Sequence, residues 1–156
     1  MAATTMPSTR SLLKQLRQEH PDITFALGGD FRWSPVKQTL YYLESEDANA
    51  FILHELAHAL LRHTTYDKDI ELLQCERDAW QFAIDTLAKK YDVTIDNVLV
   101  QDNLDTYRDW LHARSRCPNC TATGVQTKRR SYHCIACRHD WTVNEARNCQ
   151  LRRHSA

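Results

Sequence analysis

No stretch of the chain approaches the roughly 20 uncharged apolar residues that a membrane-spanning helix needs, and its first twenty residues, MAATTMPSTRSLLKQLRQEH, contain no continuous apolar segment of the secretory kind. The expected compartment is therefore the cytoplasm, with no membrane partner. Glycine and proline are scarce, at three and four of 156 residues, and no repeat or low-complexity tract is present, which argues against long disordered stretches. There is no net charge, so the chain as a whole is neither a polycation nor a polyanion.

What is present suits an ordinary globular protein, with 42% hydrophobic and 26% charged residues. This length holds one compact core and one small accessory module. The neutral total conceals a split: residues 1–113 carry 11 basic against 18 acidic residues, whereas residues 114–156 carry 9 against 2. The basic end could meet an anionic partner or the acidic part of its own chain. In a reducing compartment the six cysteines do not read as a disulfide framework, and four of them stand in C-x-x-C pairs that point to metal. Cys75 and Cys149 are left over as ordinary thiols.

Ser8 is placed to cap a helix that runs to about His20, before Pro21, with Leu12, Leu13 and Leu16 on one face. Strands are expected at 23–27, 31–33 and 39–43, the last two joined by the turn at 34–37. From Asp47 the spacing of Phe51, Leu53, Leu56, Ala57, Leu60 and Leu61 is helical, and further helices are expected from Asp69 to about Tyr91 and from about Asp102 to Arg114.

Within the first of these helices, His54-Glu55-Leu56-Ala57-His58 sets two imidazoles at i and i+4, about 6 Å apart on one face, so that both can reach one zinc ion. Glu55 is turned about 100° around the axis and is placed to take a proton from water beside the metal. The competing reading is a surface helix whose two His and one Glu make ordinary hydrogen bonds.

A reactive zinc site takes three protein ligands and leaves one position open. On the next helix Glu71, Gln74, Asp78, Gln81 and Asp85 form one polar stripe that should face solvent, while Glu76 lies off it among Leu72, Leu73, Ala79, Trp80 and Ala83. A carboxylate in apolar surroundings is costly unless paired or metal-bound, which favours Glu76 as third ligand. The alternatives are a salt bridge from Glu76 to Arg62 or Arg77, and His63 as ligand. His63 stands nine residues after His54 without a glycine turn before it, which suits a surface or supporting role better.

The segments HELAHALLRH (54–63) and ERDAWQFAIDTL (76–87) resemble the ImmA/IrrE family of gluzincin-type metallopeptidases, where ERDAWQFAIDTL is similar to that family's E-x-E-A-x-x-F-A-x-x-L-L. The resemblance covers residues 23–90. It implies that His54, His58 and Glu76 hold a catalytic zinc, with Glu55 as general base, and, since members of that family cleave repressor-like proteins, that the substrate is a protein. Asp78 and Trp80 depart from the family pattern, and nothing after Leu87 matches its Met-Pro ending.

Cys117-Pro118-Asn119-Cys120 and Cys134-Ile135-Ala136-Cys137, thirteen residues apart, suit tetrahedral thiolate coordination of one structural zinc, with the hairpin between them and Tyr132 and Trp141 as shields. So short a segment needs metal to supply most of its folding energy. Lys128, Arg129, Arg130 and Arg138 interleaved with Tyr132, His133 and Trp141 make a nucleic-acid contact one option for this module, and protein docking or a purely structural role the other.

The expectation is thus an α+β protein. A zincin-like domain at 1–113 has an N-terminal helix, a short antiparallel sheet, an active-site helix and a third-ligand helix. A zinc ribbon at 114–145 and a basic tail at 146–156 follow. The function expected is that of a zinc metalloendopeptidase with one catalytic and one structural zinc, acting on a protein or peptide. The alternative is a nucleic-acid-binding regulator whose zincin domain senses a partner and cleaves little. An extended peptide is expected to pair with the edge of the 39–43 strand, and Tyr41, Tyr42, His63 and Tyr66 are the oxyanion candidates.

Overall fold

A computed structural model describes residues 5–145 and the backbone of residues 153–155. The chain is α+β and divides into two compact units, residues 1–64 with 75–100 and residues 65–74 with 101–156. No helix among the described residues is long and apolar enough to cross a membrane.

The first unit begins with helix α1, Thr9–Glu19, whose capping residue Ser8 accepts a hydrogen bond from the Ser11 amide at 3.2 Å. Leu12, Leu13 and Leu16 form its buried stripe, as their spacing requires. At its end the Glu19 carboxylate collects Lys90 Nζ at 2.7 Å, the Tyr91 hydroxyl at 2.7 Å and Gln15 Nε2 at 3.1 Å. These contacts, Lys90 foremost, pull its pKa down to about 2.

Strands β1 (Thr24–Leu27), β2 (Arg32–Ser34) and β3 (Thr39–Tyr42) form a sheet in the order β1-β3-β2. β2 and β3 pair antiparallel, but β1 and β3 run parallel, so the expected antiparallel sheet is a mixed one. The turn at 34–37 sends β3 back against β2, and β3 then slots between β2 and β1, where it runs in the direction of β1. β3 is therefore the central strand, and a peptide cannot pair along it; the expectation of an open edge there is corrected.

Helix α2, Ala48–Leu60, follows the sheet, and helix α3, Asp69–Phe82, runs on into a π-helical stretch at Ala83–Ala88. Ile52, Leu53, Leu56 and Ala57 of α2 join Ala79, Ala83 and Leu87 in one core with the α1 leucines, Phe25 and Leu40. Gln74, Asp78, Gln81 and Asp85 lie exposed on the opposite side of the helix, as the phase of the polar stripe predicts.

Helix α4, Asn97–Ser115, starts five residues before the expected Asp102. The Asp96 carboxylate accepts from the Val98 amide at 2.9 Å, a capping bond that moves the start of the helix forward to this aspartate.

In the second unit strands β4 (Val125–Lys128), β5 (Ser131–His133), β6 (Asp140–Val143) and β7 (Arg153–Ser155) form an antiparallel sheet in chain order. Apart from the backbone of β7, the expected tail at 146–156, with Cys149, lies outside the described residues. Tyr132, Trp141 and Val143 pack with Cys117 and Cys134 in a small core of its own. Gly124 is required there: a Cβ at that position would run into Trp141 Cη2 and lie 2.9 Å from the His133 carbonyl oxygen.

This unit is larger than the expected 114–145 module, because it includes 65–74 and α4 from Gln101 onward. A buried ionic network accounts for the addition. Asp69 and Arg114 are 2% and 1% exposed, and Arg114 Nε donates to Asp69 Oδ2 at 2.7 Å. The Tyr132 hydroxyl donates to the same oxygen, and Trp141 Nε1 donates to the Arg114 carbonyl at 3.0 Å. Gln126 Oε1 accepts from the Asp69 amide at 2.7 Å, while Lys68 Nζ donates to the carbonyls of Gln126 and Thr127, each at 3.1 Å.

Candidate metal centres

The helical period of α2 places His54 and His58 one turn apart on its core side, 2% and 8% exposed, with their Nε2 atoms 3.2 Å from one another. Glu76, from α3, is 4% exposed and meets both: Oε2 lies 2.8 Å from His54 Nε2 and Oε1 3.3 Å from His58 Nε2. Burial pushes the Glu76 carboxyl up, but the contacts with His54 and His58 outweigh it and hold the group well below the usual carboxylate range. The partners of Glu76 are thus the two imidazoles, and Arg77, one of the two expected alternatives, pairs with Asp78 at 2.9 Å.

Two imidazole nitrogens and both oxygens of one carboxylate converge here, with separations of 2.8–3.3 Å, out of water. Such an arrangement needs protons or a cation between the atoms. In a tetrahedral zinc site with bonds of about 2.0–2.2 Å to nitrogen and oxygen, ligand atoms stand roughly 3.3–3.5 Å apart. Two of the three separations lie within about 0.1 Å of that range, and the third is a hydrogen-bond distance. Two imidazoles and a carboxylate are donors that zinc accepts, so the residues fit the ion.

Glu55 is half-buried beside them, and the ligand-type atoms of His54, Glu55 and His58 all lie within 4.8 Å of one another. Its Oε2 accepts a hydrogen bond from the Trp33 amide of β2 at 2.8 Å, which holds the carboxylate in one orientation. The supports of the two imidazoles differ. The Nδ1 of His54 is buried with no hydrogen-bond partner, and its ring stacks on Trp80 with centroids 4.1 Å apart. The Nδ1 of His58 lies 2.9 Å from Nδ1 of His63. Burial, then His58, pushes the pKa of His63 down. Among the oxyanion candidates, Tyr42 is part of the hydrophobic core and His63 is engaged with His58.

The second cluster lies in the second unit. Cys117 Sγ and Cys137 Sγ are 3.7 Å apart, and Cys120 Sγ and Cys134 Sγ 3.5 Å apart. With zinc–sulfur bonds of about 2.3 Å the corresponding tetrahedral separation is roughly 3.8 Å, so four thiolates at these positions fit one ion. Two matching turns present them. The Thr121 amide donates to the Cys117 carbonyl at 3.0 Å and the Arg138 amide to the Cys134 carbonyl at 2.8 Å. Thr121 and Arg138, each just after the second cysteine of its pair, are left-handed at φ 66° and 64°. The Asn119 side chain, foremost, and the His139 amide pull the Cys137 thiol down to about 6, which favours the thiolate.

Tyr132 and Trp141 are buried and cover this cluster, so they offer no face to a base. Lys128, Arg129 and Arg130 line an open groove of about 440 Å³ with Ser131, Thr142, Val143 and Asn144. Glu145 reaches Arg129 and Arg130 there at 3.5 and 3.7 Å.

Every metal-type residue expected from the pattern therefore falls in one of two clusters. The contacts that the pattern does not supply are those around them: the Trp33 amide on Glu55, Trp80 on His54, and the buried Asp69–Arg114 pair. The first is a backbone group and leaves no mark in a sequence. The protein is, by fold and site, an α+β chain with one His/Glu and one four-cysteine cluster, each able to hold a metal ion. No protein-family profile, curated protein or solved structure matches it.

Proposed function

We propose that this chain is a zinc-dependent peptidase of the gluzincin type, in which His54, His58 and Glu76 hold the catalytic ion and Cys117, Cys120, Cys134 and Cys137 a structural one. The observation that carries this reading is the convergence of His54, His58 and Glu76 to within 3.3 Å, with Glu55 oriented beside them. Bound there, zinc supplies Lewis acidity toward a carbonyl and brings the pKa of water near neutrality. Glu55 takes the proton of the attacking water and passes it to the leaving amine, which is work for a carboxylate fixed in one orientation. Among the described strands β2 is the edge of the first sheet on the Glu55 side, so an extended peptide would lie along β2. A cytoplasmic setting agrees with the five described cysteines, none of which is in a disulfide.

The test is Glu55→Gln in the full chain, read by metal content and by cleavage of unfolded casein as a general protein probe. Cleavage should fall by about 10²–10⁴-fold with metal retained. Undiminished cleavage by the metal-loaded variant would refute the mechanism.

A second reading rests on the basic groove at Lys128–Arg130, which suits a phosphate backbone. With Tyr132 and Trp141 buried, it could rest only on charge. DNA binding that weakens steeply with salt, and loses slope when Lys128, Arg129 and Arg130 are neutralised, would support it; salt-insensitive or absent binding would dismiss it.

A further inference from the structure

The end of α2 does more than stop a helix. Leu61 keeps right-handed backbone, and Arg62 then turns left-handed at φ 58°. The Arg62 amide donates to the Ala59 carbonyl at 3.2 Å, and the His63 amide reaches back to the His58 carbonyl at 3.0 Å. This pair of bonds, 5→2 and 6→1, defines a Schellman motif, which brings the residue after the left-handed position over the residue at the start of the last turn. An apolar pair commonly fills that contact. Here the pair is His63 and His58, joined Nδ1 to Nδ1 at 2.9 Å.

The consequence concerns the proton of His58. Its Nε2 faces His54 Nε2 at 3.2 Å and Glu76 Oε1 at 3.3 Å, so a metal among them needs the Nε2 lone pair and leaves the proton on Nδ1. His63 Nδ1, 2.9 Å away, stands where an acceptor for that proton is needed, which would leave the His63 proton on Nε2. His54 has no corresponding partner, because its Nδ1 is buried without a hydrogen bond.

We infer that His63 is a positioning residue of the His54/His58/Glu76 centre: through the helix-stop motif it selects the tautomer and ring orientation of His58 that presents Nε2 to the metal. This rests on the proposal that a metal binds at these three residues, and not on peptide hydrolysis. Non-glycine residues rarely adopt the left-handed region, so the motif is held against some strain at Arg62. Outer partners of metal-bound histidines are typically worth about 10–100-fold in metal affinity.

The test compares the full chain with His63→Leu and His63→Asn. Leucine restores the usual apolar contact of the motif and so preserves the helix stop, but it accepts no hydrogen bond. Asparagine Oδ1 stands close to where the imidazole Nδ1 was and accepts one. The readout is metal content and competition with a chelator, using cobalt(II) as the probe ion so that thiolate charge-transfer bands report the four-cysteine cluster separately.

Expected is a fall of about 10–100-fold in affinity at the first centre in His63→Leu, recovery in His63→Asn, and an unchanged cysteine centre in both. Equal affinity in wild type and His63→Leu would overturn the inference while leaving the metal centre standing. An equal loss in both variants would overturn it as well, because only packing would then matter. A wild-type chain that takes metal at the cysteines alone would overturn both the inference and the reading beneath it.

Discussion

Replacing Asp69 should unsettle the second unit more than any other single change to a polar residue there. The side chain is 2% exposed and accepts from Arg114 Nε at 2.7 Å and from the Tyr132 hydroxyl, while Arg114 is itself 1% exposed. Removing one member of a buried ion pair leaves the other charge uncompensated, which costs about 3–5 kcal/mol. The Tyr132 hydroxyl would also lose its acceptor, at about 1–3 kcal/mol, although the two losses overlap and do not simply add. Against the roughly 5–15 kcal/mol that a typical domain holds in reserve, Asp69→Ala should leave the unit close to unfolding.

The assay is urea unfolding of the metal-saturated chain followed by amide NMR signals of β4 to β6, for Asp69→Ala, Arg114→Met and the double variant. Breaking either partner alone should cost at least about 3 kcal/mol, and the double change should cost less than the sum, since it strands no charge. A single-variant cost below about 1 kcal/mol, or strict additivity, would refute the claim that this pair draws residues 65–74 into the unit.

Three further outcomes follow from the same packing. Gly124→Ala should destabilise the β4–β6 sheet by about 1–3 kcal/mol, since the added methyl meets Trp141 and backbone; unchanged denaturant midpoints would contradict the close approach. Thr121→Gly and Arg138→Gly should each stabilise the second unit or leave it unchanged, by up to about 1 kcal/mol, because both residues are left-handed; clear destabilisation in thermal melts would argue against that backbone. Glu19, with a folded pKa of about 2 against an ordinary value of 4.5, contributes stability that is present above about pH 4.5 and is lost as pH falls toward 2. Glu19→Gln should therefore flatten the acid limb of the first unit's unfolding in that window, and an unaltered limb would count against the Lys90–Tyr91 contacts.

Much of the candidate first centre is legible in the sequence because it lies on helices, where phase is a reliable guide. The i, i+4 spacing puts His54 and His58 on one face, and the polar stripe from Glu71 to Asp85 leaves Glu76 alone on the inner side. The cysteine cluster is legible from spacing. The order of the first sheet is not: three short strands with turn residues between them fit a meander as well as β1-β3-β2, and only the placement of β1 on the far side of β3 decides it. Neither are the left-handed residues. Propensity looks for such conformations at glycine, yet Arg62, Thr121 and Arg138 adopt them because hydrogen bonds to the preceding turn impose them. The Asp69–Arg114 pair spans 45 positions, and no local pattern joins residues so far apart.

The two clusters differ in a way that assigns them different roles under the proposed function. Four thiolates fill every position of a tetrahedral ion, and Asn119 adds N–H contacts to the outside of Cys117 and Cys137, so an ion there has no opening for a reactant. The first cluster offers three donors, His54, His58 and Glu76, and so leaves one position, with Glu55 turned toward the same region and anchored by the Trp33 amide. Under this assignment the two ions should also leave differently. A chelator acting at mildly acidic pH should empty the His/Glu centre without unfolding the first unit, whose core of Leu12, Phe25, Leu40, Ile52 and Leu56 is independent of metal. Loss of the second ion should melt the β4–β6 sheet, whose small core includes Cys117 and Cys134 themselves. Metal release measured beside amide signals from each unit would show this order, and a first unit that unfolded on losing its ion would assign that site a structural role instead.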